Sequence, residues 1–257
     1  SEAARFSPFQ RTPLDRMFGR WSLDYSPMFV AMDLMSRLFS PYQLNPAGSN
    51  ALAPILAKEI NFERLRNSPI KVFITATNVR TGRPRIFRNA EITPEVLMAS
   101  ACLPTLCQAI EIDGESYWDG GYSGNPTLAP LVRELVSDDT ILVPINPVER
   151  PGTPKSAAEI LNRLNEVSFN AMMALLRRNT IPGNDEGAEW ARMRVHIVRN
   201  PIMNTLGYSS KLNAEWEFLS MLREEGRKSA EEFLITHGDD LGKRSTLDID
   251  QLLAEMM

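Results

Sequence analysis

Residues 110–126 read Ile-Glu-Ile-Asp-Gly-Glu-Ser-Tyr-Trp-Asp-Gly-Gly-Tyr-Ser-Gly-Asn-Pro and contain two turn signals in close succession. Asp113-Gly114 lies between two short apolar runs and predicts a two-residue β-hairpin turn. Asp119-Gly120-Gly121 follows the second run and predicts a sharp turn, because glycine adopts backbone conformations that other residues avoid. The missing side chains also let another group approach the Asp119 carboxylate closely. On the residues alone, a plain turn and a functional site are both compatible with this pattern.

The sequence around this hairpin alternates between strand and helix patterns. The clearest strand precedes it at Ile70-Lys-Val-Phe-Ile-Thr-Ala-Thr-Asn78, which is rich in β-branched residues. Apolar runs predict further strands at 85–88, 141–145 and 193–198. Periodicity and capping signals predict helices at 27–39, 51–66, near Thr93-Pro94, at 127–136, from Ser156 to about Arg178, from about 212 to Gly238, and from Ser245, whereas residues 1–23 are expected to be irregular. Such alternation indicates a layered α/β fold.

Length and composition are those of an ordinary globular protein. The chain has 257 residues, 43% hydrophobic and 23% charged, and no apolar run approaches the roughly 18 residues of a membrane-spanning helix. The formal net charge of −4 gives no indication of nucleic-acid binding. Two cysteines, Cys102 and Cys107, are too few for a disulfide scaffold or a cysteine-based metal site. With no secretory leader visible, a cytoplasmic protein is expected.

Histidine is nearly absent, which limits the chemistry. His196 lies in an alternating strand pattern and His237 at a predicted helix end, and they are the only two histidines. A packed imidazole and a terminal cation stabilised by the helix dipole are the simpler interpretations of these positions. A Ser-His-Asp triad or a histidine-rich metal site is therefore not expected, and hydrolytic chemistry would use a carboxylate as its base.

A series of motifs in a fixed order carries a family resemblance. Ala99-Ser-Ala-Cys-Leu-Pro104 is an Ala-Ser-rich helix pattern ending in proline, and the hairpin at 110–118 follows it. Asp119-Gly120-Gly121 and Asn125-Pro126 come next, and Thr75-Ala-Thr-Asn78 precedes the series. In this order the motifs resemble the C-terminal half of the catalytic domain of the patatin-like phospholipases, over roughly residues 24–200.

The resemblance implies both a fold and an activity. The fold is a three-layer α/β/α sandwich, with a single patatin-like domain over 1–257 and a helical C-terminal extension at 205–257. The activity is that of a serine acyl hydrolase, which cleaves lipid acyl esters through a Ser-Asp dyad without a metal or an organic cofactor. Asp119 is the implied base, and Gly120, Gly121 and Asn125 support its motif. Lipid acyl esters are the implied substrate, while the oligomeric state is left open.

The sequence departs from the family pattern at the nucleophile. The family's serine lies in a Gly-x-Ser-x-Gly elbow, and no serine of this chain has that frame. The elbow, the first strand and the oxyanion-loop glycines are therefore expected before about residue 24, in a part that the chain lacks. Ser100 is near the motif but has no elbow glycines, and the start at Ser1 is not the strand typical of N-terminal nucleophiles. The competing interpretation is a non-catalytic lipid- or protein-binding remnant of the same fold.

Two further sets of residues bear on the substrate. Met28, Met32 and Met35 form a flexible apolar group that could adapt to acyl chains, although core packing is the simpler interpretation. Four arginines flank the turn after Asn78: Arg80, Arg83, Arg85 and Arg88. They are compatible with transient contact with an anionic membrane surface, and a solvated hairpin face is the simpler alternative.

Overall fold

The computed structural model describes residue 7 and residues 9–125, 127–147, 150, 152–170 and 192–247. The chain forms two compact units. The first comprises the described residues up to Met32 and from Leu128 onward, and the second is Asp33–Thr127. Helices occur together with antiparallel and parallel strand pairs, so the predicted α/β class is confirmed. The three-layer arrangement, the single domain over 1–257 and the extension at 205–257 stay predictions.

The elements are named in chain order. The helices are α1 (Pro13–Met17), α2 (Pro27–Leu38), α3 (Pro41–Leu44), α4 (Leu52–Glu59), α5 (Phe62–Arg66), α6 (Pro94–Ser100), α7 (Ala129–Glu134), α8 (Ala157–Asn170) and α9 (Trp216–His237). The strands are β1 (Phe73–Asn78), β2 (Pro84–Arg88), β3 (Ile110–Ile112), β4 (Glu115–Asp119), β5 (Asp139–Leu142) and β6 (Arg194–Ile197). Among the described residues, no helix combines the length and the apolarity needed to cross a membrane.

The second unit is built on a four-stranded antiparallel sheet in the order β2-β1-β4-β3. Helix α6 packs against this sheet, and its inward residues Val96 and Ala99 are buried. The rest of this core consists of Ala76, Phe87 and Tyr117, and the two rings meet edge to face with 5.8 Å between centroids. The sheet core therefore lies directly beneath the ends of β1 and β4.

Local sequence signals set the boundaries of this unit. Asp113 and Gly114 have φ angles of 55° and 76°, so the predicted two-residue turn joins β3 to β4. Helix α6 begins as predicted, since the Thr93 hydroxyl accepts the Val96 N–H and Pro94 occupies the first helical position. Both signals are confirmed because each acts within a few residues.

In the first unit, β5 and β6 form a parallel pair. The strand predicted over 141–145 is observed earlier in the chain, at Asp139–Leu142, and it ends two residues before Pro144, which cannot donate to a strand ladder. Helix α8 begins with the predicted capping box, in which Ser156 and Glu159 each accept a backbone N–H from the other's segment. The predicted end of this helix near Arg178 and most of the predicted terminal helix lie outside the described residues. The Ser245 hydroxyl accepts the Val195 N–H of β6.

Four of the sequence predictions are wrong in detail. The helix predicted over 51–66 is two helices, because the Asn61 side chain accepts the Arg64 N–H and starts α5. Residues 1–23 contain α1, which Thr12 and Asp15 cap reciprocally. The last long helix begins at Trp216, and Leu212 belongs to a preceding 3₁₀ turn. Met28 and Met35 on α2 are exposed rather than packed in a core.

Candidate active site

Asp119 is the last residue of β4, and the neighbouring strand fixes its position. Ala76 of β1 lies opposite it in the antiparallel register. The backbone N–H of Asp119 donates to the carbonyl of Cys102, which follows α6, over 2.9 Å. The residue is half-buried. Asp119 is therefore tied through its backbone both to the sheet and to the segment after α6.

Gly120 is required by close packing. A Cβ atom added at this residue would lie 2.1 Å from the carbonyl oxygen of Thr75 in β1. Real Cβ atoms are not found that close to backbone, so any side chain here would force β1 and the loop apart. Its φ angle is not positive, so the conformational freedom that the sequence suggested is not the reason for this glycine.

The hydroxyl of Thr77 connects β1 to both ends of the motif loop. Thr77 Oγ1 donates to the Asp119 carbonyl over 2.7 Å and lies 2.7 Å from Ser123 Oγ. A hydroxyl has one proton, so Ser123 must donate to Thr77. Thr77 is buried, which strengthens both bonds. The loop is therefore closed across residues 119–123 by a single threonine.

Thr75 extends the same arrangement along β1. Its hydroxyl donates to Thr127 Oγ1 over 3.1 Å, and Thr127 in turn donates to the Gly124 carbonyl over 2.8 Å. Thr75 and Thr77 lie on one face of the strand because successive side chains alternate. The Thr-x-Thr spacing was the available sequence signal for this role, which sequence reasoning did not assign.

The Asp119 carboxylate faces the turn that follows it. Oδ1 accepts the Gly121 N–H over 2.7 Å, which caps the 3₁₀ turn Gly120–Tyr122. Partial burial and then the nearby negative charge of Asp119 raise the pKa of Tyr122. Asn125 is exposed, and Pro126 lies outside the described residues. The geometry fixes an ionisable carboxylate at a strand end, where it could accept a proton from a hydroxyl or a water.

Comparison with known families finds a match to the part of the chain that contains Asp119. Residues 11–132 match the family model of the patatin-like phospholipases. Over this segment the chain is similar to the patatin-like phospholipases. The match begins earlier than the predicted resemblance and ends before its predicted limit near residue 200, and it includes β1–β4 and the Asp119 loop. No curated protein sequence matches the chain.

Two serines near the motif of this patatin-like segment bond to neighbouring backbone or side chains. Ser100 Oγ donates to the Leu97 carbonyl over 2.9 Å, a bond within α6 that fits the packing role expected for it. Ser123 donates to Thr77. Ser1 lies outside the described residues. No glycine pair frames either described serine as an elbow would.

The histidines occupy structural positions outside the patatin-like segment. His196 is fully buried in β6, with Nε2 3.0 Å from Asp139 Oδ1 and Nδ1 3.0 Å from Thr246 Oγ1. His237 ends α9 and lies 3.3 Å from Asp240 Oδ2. Within the described ranges, no three histidine, cysteine or acidic side chains cluster as metal ligands. Both histidines therefore have local partners that account for their positions.

Two of the four arginines around the β1–β2 turn pair with residues of the neighbouring β3–β4 hairpin. Arg80 pairs with Glu115 at 2.6 Å. Arg85 pairs with Asp113 at 2.9 Å and donates to the Tyr117 hydroxyl at 3.1 Å. Such pairs favour the solvated-face interpretation over a headgroup site, because a lipid phosphate would have to displace a carboxylate already in place.

Proposed function

We propose that this protein is a serine acyl hydrolase acting on lipid acyl esters, in which Asp119 is the base of a Ser-Asp dyad. The observation that carries the proposal is the Asp119 carboxylate at the end of β4, in a loop held by Thr75 and Thr77 within the segment that matches the patatin-like phospholipases. A base must stay in place while the substrate changes, and the backbone bonds of this loop would supply that rigidity.

In the proposed reaction Asp119 accepts a proton twice, first from the serine hydroxyl and then from a water molecule. The carboxylate takes the proton from the serine hydroxyl while the serine oxygen attacks the ester carbonyl. The alcohol leaves with that proton, and the acyl group remains bonded to the serine oxygen. A water molecule then gives its proton to Asp119 and attacks the acyl carbonyl. Asp119 returns this proton to the serine oxygen as the carboxylic acid leaves, which restores the serine hydroxyl and the carboxylate.

The proposal assigns the base to this chain and the serine to a Gly-x-Ser-x-Gly elbow of the full-length protein. The 257 residues contain no such elbow. Without a serine in reach the covalent step cannot occur. General-base assistance alone contributes about 10²–10⁴-fold, so the 257-residue chain is expected to hydrolyse esters negligibly.

The test compares two aspartates in the full-length protein, including any residues that its reading frame encodes ahead of Ser1. Asp119→Asn is expected to lower kcat for a chromogenic acyl ester by about 10³-fold or more, because an amide cannot take the proton. The turn should survive, since the Asn Oδ1 atom can still accept the Gly121 N–H. Asp113→Asn is the matched control, because it lies in the exposed turn of the same hairpin with a φ of 55° that Asn tolerates.

Full activity of Asp119→Asn, or equal loss in both variants, would overturn the assignment of the base. Robust hydrolysis by the 257-residue chain itself would show that its nucleophile lies within it. An extended protein that folds and binds lipid but hydrolyses no ester with either aspartate intact would favour the non-catalytic remnant.

A further inference from the structure

A cavity of about 560 Å³ lies in the first unit, at the carboxyl ends of the parallel strands β5 and β6. Its walls come from the segment after β5, the segment after β6 and the last turns of α9. Asn146, Arg199 and Glu232 are among the lining residues. The volume is that of a small-molecule site. Ligands of open parallel sheets bind outside the carboxyl ends of the strands, which is where this cavity lies.

Two opposite charges line the cavity from different elements. Arg199 follows β6, and Glu232 lies on α9. Both side chains are exposed, and no described residue forms an ion pair or a hydrogen bond with either of them. The two do not pair with each other, although both border the same space. A third titratable group that lines the cavity is His237, whose Nδ1 atom lies 3.3 Å from Asp240 Oδ2.

The amide of Asn146 supplies a neutral donor. Asn146 is buried, and Lys211 Nζ donates to its Oδ1 over 2.8 Å. This bond fixes the amide orientation and directs its NH₂ group away from Lys211. No described residue accepts from that NH₂ group, and Asn146 lines the cavity. The amide of Asn200, in contrast, is fully used within the protein. It donates to Glu225 and Ser229 and accepts the Ile202 N–H, so Asn200 forms a rigid part of the cavity wall.

Apolar surface completes the lining. Phe233 is buried beneath the cavity, and Val198 and Met203 are half-buried beside it. A site with apolar walls and a few separated polar groups is typical of small-molecule recognition. The charges decide which molecule fits: a simple anion would meet Glu232, and a simple cation would meet Arg199.

We propose that this cavity binds a small zwitterion, with its phosphate or carboxylate at Arg199 and its ammonium group at Glu232. Asn146 would donate to the anionic group. Phosphoethanolamine has this chemistry, either as a free molecule or as a phospholipid headgroup; the headgroup form rests on the lipid activity proposed above. The site contains none of the residues of the Asp119 loop.

Binding is measured without turnover, so that it succeeds or fails independently of the hydrolase proposal. Isothermal titration of the 257-residue chain uses glycerophosphoethanolamine, glycerol 3-phosphate and ethanolamine as probes. The zwitterion is expected to bind about tenfold more tightly than either glycerol 3-phosphate, which lacks the ammonium group, or ethanolamine, which lacks the phosphate, because each makes one charge-assisted contact fewer. Sedimentation with phosphatidylethanolamine vesicles then tests the headgroup source; binding of the soluble probe without vesicle binding supports the free zwitterion.

Four exposed substitutions separate this site from general surface charge. Arg199→Gln and Glu232→Gln should each weaken binding of the zwitterion about tenfold, and Glu232→Gln should remove the preference over glycerol 3-phosphate. Arg227→Gln and Glu231→Gln, on α9 but outside the lining, should leave binding unchanged. Asp119→Asn should also leave it unchanged. No binding of any zwitterionic probe, or equal weakening by the control variants, would overturn the proposal.

Discussion

Asp119 in the second unit and Asp139 in the first both lie at strand ends, but they are held in different ways. Asp139 begins β5. Two N–H groups of Arg194 donate to its carboxylate over 2.9 and 2.7 Å. His196 and the Gly242 N–H also contact its Oδ1 atom. The Arg194 bonds, followed by the Gly242 N–H, hold the pKa of Asp139 well below its usual range.

Asp119 is instead positioned largely through its backbone. Its N–H bonds to Cys102 and its carbonyl accepts from Thr77, while Gly121 donates an N–H to the carboxylate. A carboxylate that is the counter-ion of a guanidinium has a lowered proton affinity and is a poor base, and this is the arrangement of Asp139. The contacts described above for Asp119 are with backbone N–H and hydroxyl groups. The difference explains why only one of these aspartates is proposed to act in catalysis.

The largest effect is expected from Gly120→Ala. The new Cβ would lie 2.1 Å from the Thr75 carbonyl oxygen, so β1 and the loop must separate. Overpacking of this kind should lower the free energy of unfolding by about 3 kcal/mol, measured by urea denaturation. Gly226→Ala is the control, because nothing lies within 4 Å of a Cβ there and the residue is within α9. It should raise stability by about 0.5–1 kcal/mol. Equal midpoints for the two variants would contradict the packing argument.

The next effect tests the other aspartate through pH. The depressed pKa of Asp139 means that its carboxylate stabilises the fold above the ordinary carboxyl pKa of about 3.9, and that this contribution is lost as pH falls through the folded value. Asp139→Asn should therefore lower the melting temperature at pH 7, and the gap from the parent should shrink below about pH 4.

Asp138→Asn is the matched control for that experiment. Asp138 lies 3.7 Å from Arg194 and is more exposed than Asp139. Its substitution should change the melting temperature little at any pH, because exposed pairs contribute little. A gap for Asp139→Asn that stays constant down to pH 2 would show that the carboxylate charge is not what stabilises β5.

Removing the Thr77 hydroxyl should have a smaller effect on the Asp119 loop. Thr77→Val deletes the donor to the Asp119 carbonyl and the acceptor for Ser123. The loss should be about 1–2 kcal/mol of unfolding free energy by urea denaturation. Thr77→Ser keeps the hydroxyl and should recover most of this stability. If valine and serine behave alike, the loop is held by packing and not by this hydroxyl.

The last prediction concerns reactivity and leaves stability aside. Contact with Cys102 lowers the pKa of Cys107 to about 7, while the same contact and burial raise the pKa of Cys102. Iodoacetamide labelling should therefore modify Cys107 with a pH midpoint of about 7. Cys107→Ser should leave the chain almost unlabelled at pH 8, because the Cys102 side chain is buried and out of reach of the reagent. Labelling with the midpoint of an ordinary thiol, about 8.5, would exclude this interaction.

Short-range signals in the sequence determined much of this fold. The Asp113-Gly114 turn and the Thr93-Pro94 cap were predicted because each depends on only a few neighbouring residues. The break at Asn61 was missed because a side-chain cap competed with a continuous helical pattern. The motif order around Asp119 also predicted the patatin-like family, which the match over residues 11–132 confirms.

Tertiary structure alone decided what holds each aspartate. The sequence placed Gly120 after Asp119 and indicated conformational freedom, but the approach of the Thr75 carbonyl is the physical requirement. Thr77 reaches Asp119 and Ser123 only because β1 pairs with β4, which are far apart along the chain. Asp139 meets Arg194 and His196 through the parallel pairing of β5 with β6. These contacts join residues separated by more than 40 positions, and no local pattern encodes such pairs, since their energy arises only when the strands meet.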